Sequence, residues 1–301
     1  MMKFGRLLLV MLLAISLFTG CSRKIGIGEG TKNDSLKIVT SFYPMYLSAI
    51  NITDGIENVE VINMTKPQTG CLHDYQLTPA DLVTLEDADA FIINGAGMES
   101  FLDKVISARK NLPIIEASRG IAAIKDDSGE ENPHMWLSIA NYIKQIENIT
   151  AQLSQIDIKN AAKYQSNGAA YIDKLKTLGN TMHASIDTIK DRNIIPFHEA
   201  FPYFAKEFNL NIAAVIEREP GTAPTPAELT ETIDVIKKSG AKAIFTEPQY
   251  SSKAAETIKA ETGISLYTLD PIVTGQADKK AKDDYITKMM SNLESLKEAL
   301  K

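Results

Sequence analysis

The sequence predicts an α/β protein: two βα lobes with parallel sheets, joined by one long linking helix. Three features of the 301 residues carry that reading. Short β-branched runs alternate with helical periodicity through both halves, the pattern of a parallel sheet covered by helices. From about residue 139 to 190 the alternation stops, with no proline and sustained helical spacing such as Ile143, Ile146, Ile149 and Leu153. The same helix-start pattern, threonine, proline, alanine and an acid, recurs at Thr78–Asp81 and at Thr225–Glu228, one copy per half.

In order, Leu36, Ile38 and Val39 predict a strand over 36–40, followed by a helix over 42–52. A strand over 59–63, a helix over 78–85, a strand over 90–94, a helix over 98–107 and a strand over 114–117 complete the first lobe. One or two long helices fill 139–190. The βα alternation then resumes, with strands over 193–197, 212–216, 243–245 and 265–268 and helices over 200–208, 225–238, 252–262 and 281–300. In both repeated helix starts, threonine is the N-cap, proline occupies the first helical position and the acid reaches back to otherwise orphaned N–H groups. The lobes are expected over 36–155 and 192–301, with the linking helix over 156–191. Ligands of open α/β sheets sit beyond the carboxyl ends of the strands, so two facing lobes make a cleft.

Residues 1–21 stand outside the fold. Lys3 and Arg6 precede an apolar run from Leu7 to Phe18 that is too short to span a bilayer, the layout of an export signal. Its end, Leu17-Phe18-Thr19-Gly20-Cys21, resembles the lipobox of bacterial lipoproteins, with Phe18 where such motifs usually carry leucine. Lipid on Cys21 would anchor the chain to a membrane, and residues 22–35 would form a flexible tether. An ordinary signal cut nearby is the other reading. With Cys21 lipidated, Cys71 has no partner for a disulfide, and stability rests on a packed core. Losing Lys3 and Arg6 takes the basic count from 32 to 30 against 38 acids, a net charge of −8. That balance argues against nucleic acid.

Three of the four histidines follow a strand or open a loop: His73, His134 and His198. Asp270 ends the last strand and Glu247 the one before it. Three imidazoles and a carboxylate form a tetrahedral N/O set suited to Zn²⁺, whereas Mn²⁺ favours more carboxylate oxygens. Each residue also has an ordinary role. His73 fits a plain loop, His134 fits packing on Trp136, His198 fits capping of the next helix, and Asp270 before Pro271 fits a turn. His183 lies inside the long helical segment, where a solvent-facing position is expected.

The ordered motifs narrow the choice. LHDYQLTPAD around His73, NPHMWLS around His134, FHEAFPYFAKEFNL around His198, then EREPGTAPTPAEL, FTEPQYS and TLDP follow one another from about Lys37 to the C-terminus. In that order and spacing the chain resembles the metal-specific solute-binding lipoproteins of zinc and manganese ABC importers. The resemblance implies a metal site in the interlobe cleft with ligands at His73, His134, His198 and Asp270. It also implies a membrane permease as partner and a monomer outside the cytoplasm. Histidine rather than glutamate at the third ligand favours zinc over manganese or iron. Glu247 is expected to support the site rather than touch the ion. Two departures stand out: Leu72 replaces the proline common before the first histidine, and the acidic run 126–131 holds no histidine. Cys71, two places before His73, is either an auxiliary soft ligand or a small filler, the commoner role of a free cysteine.

A zinc hydrolase is the rival class. His198-Glu199 begins an H-E-x-x-H pattern, but Pro202 stands where the second histidine belongs. No nucleophile elbow or phosphate-cradling glycine loop supports an enzyme. A surface adhesin is a second use open to such a lipoprotein, and no residue argues for or against it.

Overall fold

The computed structural model of the chain describes residues 35–72, 75–125, 129–216 and 224–301. The export signal, Cys21 and His73 therefore lie outside the described residues. The first sheet contains β1 (Leu36–Thr40), β2 (Val59–Asn63), β3 (Ala90–Ile93) and β4 (Ile114–Glu116), in the order β2-β1-β3-β4. The second contains β5 (Asn193–Pro196), β6 (Asn211–Ile212), β7 (Ala243–Thr246) and β8 (Ser265–Thr268), in the order β6-β5-β7-β8. Every pairing is parallel. The two sheets share one topology, and in each the strand order reverses at the first strand, between β1 and β3 and again between β5 and β7.

Helices α1 (Tyr43–Ile52), α2 (Pro79–Glu86) and α3 (Leu102–Ala108) belong to the first lobe. The 139–190 segment divides into α4 (Ile139–Ile156) and α5 (Ala161–Ile186). Asp157 breaks the run, and its carboxylate accepts bonds from Asn160 at 2.7 Å and the Tyr164 hydroxyl at 2.8 Å. α5 spans about 39 Å at 1.5 Å per residue, and its buried stripe of Tyr164, Gly168, Tyr171, Leu175, Leu178, Met182 and Ile186 repeats every three or four positions. It packs on α4, on α1 and on the C-terminal helix. The second lobe follows with α6 (Pro202–Glu207), α7 (Pro226–Ser239), α8 (Lys253–Thr262) and α9 (Asp284–Ala299). One apolar cluster runs from Ile38 to Leu300 through both lobes, and a smaller one around Ile195, Ile244 and Ile258 fills the second lobe.

Both repeated helix starts form the expected capping boxes. Thr78 Oγ1 accepts from Asp81 N while Asp81 accepts from Thr78 N, and Thr225 and Glu228 do the same. α7 ends on Gly240 at φ 66°, a left-handed cap that glycine adopts without steric cost. Two expected elements fall furthest short of their sequence patterns. The helix over 98–107 begins only at Leu102. β6 stops at Ile212 because Pro196, on the facing strand, has no N–H to supply the next rung; past that point Ala213 N still donates to Ile194 O at 2.9 Å.

Candidate metal centre

The two topological switch points lie beyond the carboxyl ends of β1/β3 and of β5/β7, where ligands of open α/β sheets gather. Two residues past β5 stands His198, and directly after β7 stands Glu247, both buried. His198 Nδ1 donates to Glu247 Oε1 across 3.1 Å, and the other carboxylate oxygen accepts from Gln249 Nε2 at 2.7 Å. Glu247 thus holds the imidazole. Nδ1 is committed to Glu247, and the ring also hydrogen-bonds the Cys71 side chain.

From the first lobe comes His134, buried at the start of the short 3-10 turn Met135–Leu137. Its Nδ1 lies 3.1 Å from Asn132 Oδ1, which also accepts the His134 N–H. Asn132 itself donates to Glu199 O at 2.8 Å, in the segment that follows His198. Tyr203 donates to Asn132 O at 2.7 Å, and the Trp136 indole donates to Pro271 O at 2.8 Å. The loop carrying His134 is therefore tied at three places to the second lobe. The rings of His134 and His198 stand 5.0 Å apart at 76°. The packing of His134 on Trp136 is also present, at 5.2 Å, so that ordinary role accompanies the site rather than replacing it.

Among the described residues, one set of metal-ligating side chains converges: Cys71, His134 and His198, one donor atom from each lying within 4.8 Å of the others. Cys71 Sγ lies 3.3 Å from His134 Nε2. Burial alone would lower the basicity of His198, but the adjoining Cys71 sulfur and Glu247 carboxylate outweigh it and push its pKa up to about 10 from 6.5. Tyr250 closes this side of the site. Its ring meets His198 edge-on at 6.0 Å, and its hydroxyl accepts the Cys71 N–H at 3.1 Å.

Asp270 does not belong to that convergent set. Its Oδ2 is held by Lys288 Nζ at 2.5 Å, and its Oδ1 accepts Ile272 N at 2.7 Å, closing the turn after β8. Asn292 fixes its backbone on both sides, at 2.7 and 2.8 Å. His183 is part-exposed on α5, pairs with Asp187 at 3.2 Å and leans on Phe208. The sequence reading did not single out Asn132, Tyr250 or Lys288. Asn132 had a signal, since it stands two positions before a candidate ligand, a spacing at which an amide reaches its neighbour's ring. Nothing in the sequence pointed from Lys288 to Asp270, eighteen positions apart across a strand end and a helix.

Residues 38–299 match the family described as zinc-uptake complex component A, periplasmic. The high-affinity zinc uptake system protein ZnuA of Bacillus subtilis is 31% identical over 292 residues, covering 90% of this chain and 89% of that protein. The zinc-binding lipoprotein AdcA of Streptococcus pneumoniae is 29% identical over 316 residues, covering 99% of this chain but 61% of AdcA. The chain thus spans less than two thirds of that relative. Among solved structures, the solute-binding protein FpvC of Pseudomonas aeruginosa in complex with Mn²⁺ superposes with a TM-score of 0.79 at 29% identity, over 88% of this chain and 98% of that one.

Proposed function

The chain belongs to the family of periplasmic zinc-uptake component A, and from that membership we propose that it captures Zn²⁺ outside the cytoplasm and delivers it to the permease of an ABC importer. The family is one of solute-binding transport proteins. The observation that carries the reading is the meeting of two buried imidazoles from different lobes, His134 and His198, each with Nδ1 held by a neighbouring side-chain oxygen and each ring reaching the Cys71 sulfur. His73 and Asp270 are the further ligands that the resemblance implies. Asp270 joins only by giving up or sharing its contact with Lys288.

Zinc fits this donor set better than manganese. Imidazole suits Zn²⁺, and the carboxylates near the imidazoles are engaged by protein donors, Glu247 by His198 and Gln249 and Asp270 by Lys288. Because the FpvC structure holds Mn²⁺ on a similar fold, the fold does not select the ion; the donor atoms do. Elemental analysis after equilibration with a zinc and manganese mixture tests this beside His198→Ala. One zinc per chain, lost in the variant, is expected. Manganese retained in preference would overturn the metal, and no metal in the unaltered protein would overturn the function.

Lipid on Cys21 would keep the protein at the membrane beside its permease, an arrangement supported by the lipobox resemblance and by the lipoprotein AdcA. The lobes are taken as 36–155 and 192–301, acting as a monomer. Cys21→Ser is expected to move the protein from the membrane fraction to the soluble one. Unchanged partition would remove the anchor from the scheme.

A further inference from the structure

We propose that Cys71 is a direct thiolate ligand of the captured ion, making the donor set nitrogen and sulfur rather than nitrogen and oxygen alone. The inference rests on the reading of His134 and His198 as metal ligands. Its first support is distance. A tetrahedral zinc with bonds of about 2.3 Å to sulfur and about 2.0–2.1 Å to nitrogen holds those two atoms about 3.5 Å apart. Cys71 Sγ and His134 Nε2 stand at 3.3 Å, so an ion enters between them with a shift of a few tenths of an ångström. The nitrogen facing the sulfur is Nε2, while Nδ1 is the one that Asn132 holds.

The second support is how firmly the backbone around the cysteine is placed. Its N–H donates to the Tyr250 hydroxyl, from the opposite lobe. Gly70 lies so close to the same tyrosine that a Cβ there would stand 2.4 Å from the hydroxyl oxygen and 3.0 Å from the ring carbon that bears it. Leu72, on the other side, is fully buried. A residue adapted only to fill space needs no such clamp across the cleft. The third is charge. Asp270 is already paired with Lys288 and Glu247 with His198, so both carboxylates are engaged and the Cys71 sulfur is the further donor that meets the imidazole pair. On binding, the S–H bond breaks, a sulfur–metal bond forms and the proton leaves to solvent.

Sulfur changes what the site prefers. A thiolate favours Zn²⁺ and softer ions over Mn²⁺ and Mg²⁺, adding a discrimination that three imidazoles lack.

The test is Co²⁺ substitution of the full chain after chelation. Visible d–d bands report that the ion is bound, and a near-ultraviolet band reports sulfur-to-cobalt charge transfer. Both are expected, with the ultraviolet band lost in Cys71→Ser and zinc affinity reduced at least about tenfold. X-ray absorption at the zinc edge of the unaltered protein provides a check that needs no variant: a sulfur scatterer at about 2.3 Å is expected. Visible bands without the ultraviolet one, or a shell of nitrogen and oxygen alone, would leave the capture function standing and overturn the thiolate. No binding of Co²⁺ or Zn²⁺ at all would instead overturn the function on which the inference rests.

Discussion

The two sheets repeat one topology, but they use the switch point differently. In the first lobe, Glu99 fills the crevice beyond β1 and β3. Its Oε1 accepts from Ser41 Oγ and Asn94 N, each at 2.8 Å, and its Oε2 accepts from Gly95 N at 3.0 Å. Asn94 continues the network, donating to Pro133 O at 3.0 Å and accepting from Gln145 of α4 at 2.8 Å. All of these bonds end within the protein. In the second lobe, the equivalent crevice holds the His198–Glu247 pair, and the same ring also meets the Cys71 sulfur from the first lobe. The same position is thus a structural plug in one lobe and, on the proposed reading, a metal-binding face in the other. The plug still serves the site, because Pro133 precedes His134.

Four substitutions separate the two roles, in decreasing order of expected effect. His198→Ala should lower zinc affinity by more than about 100-fold, beyond what loss of a supporting residue costs, while the far-ultraviolet circular dichroism stays unchanged. Retained affinity would mean that the second switch point is no more a ligand than the first. Glu247→Gln should weaken zinc by about 10–100-fold, because the ring it orients loses its fixed tautomer. Competition with a chromophoric chelator measures both. An unaltered dissociation constant would make Glu247 a plug like Glu99.

Glu99→Gln should act on stability instead. An amide can replace Oε1 as acceptor, but its NH₂ then faces the Gly95 N–H, at a cost of about 1–3 kcal/mol. The substitution also tests a pH dependence. Burial pushes the Glu99 carboxyl up to about 7 from 4.5, against the opposing pull of its donors. The folded state therefore holds this proton more tightly than the unfolded one. The resulting stabilisation is complete below about pH 4.5 and disappears as pH rises through about 7. Urea titrations across that range should show a downward contribution with rising pH in the unaltered protein that is missing from Glu99→Gln; parallel curves would remove Glu99 as its source. Thr225→Ala, which removes the exposed capping box of α7, should cost about 0.5–1 kcal/mol and leave zinc affinity untouched. A change in affinity there would show that the site is coupled to the outer helices.

Much of this was legible in the residues. Local chemistry fixes its own outcome, so the alternation of β-branched and amphipathic runs and the two threonine-proline starts appear where their patterns place them. His134, His198 and Glu247 were nameable because each ends a strand or opens a loop, and such ends face the crevice in any parallel sheet. Cys71 shows the limit. Its neighbours in sequence could not tell filler from ligand, since that depends on how close it comes to a histidine sixty-three positions away. Asp270 shows the same limit from the other side. A carboxylate at a strand end looks available until α9 brings Lys288 against it.

The sequence alone therefore determined most of the secondary structure, the doubled lobe and the candidate donors, because these depend largely on periodicity and on contacts within a few residues. Only the tertiary structure decided which donors meet. A metal site is a matter of ångströms between atoms far apart in the chain, and those distances are set by the packing of two sheets, a linking helix and the contacts across the cleft.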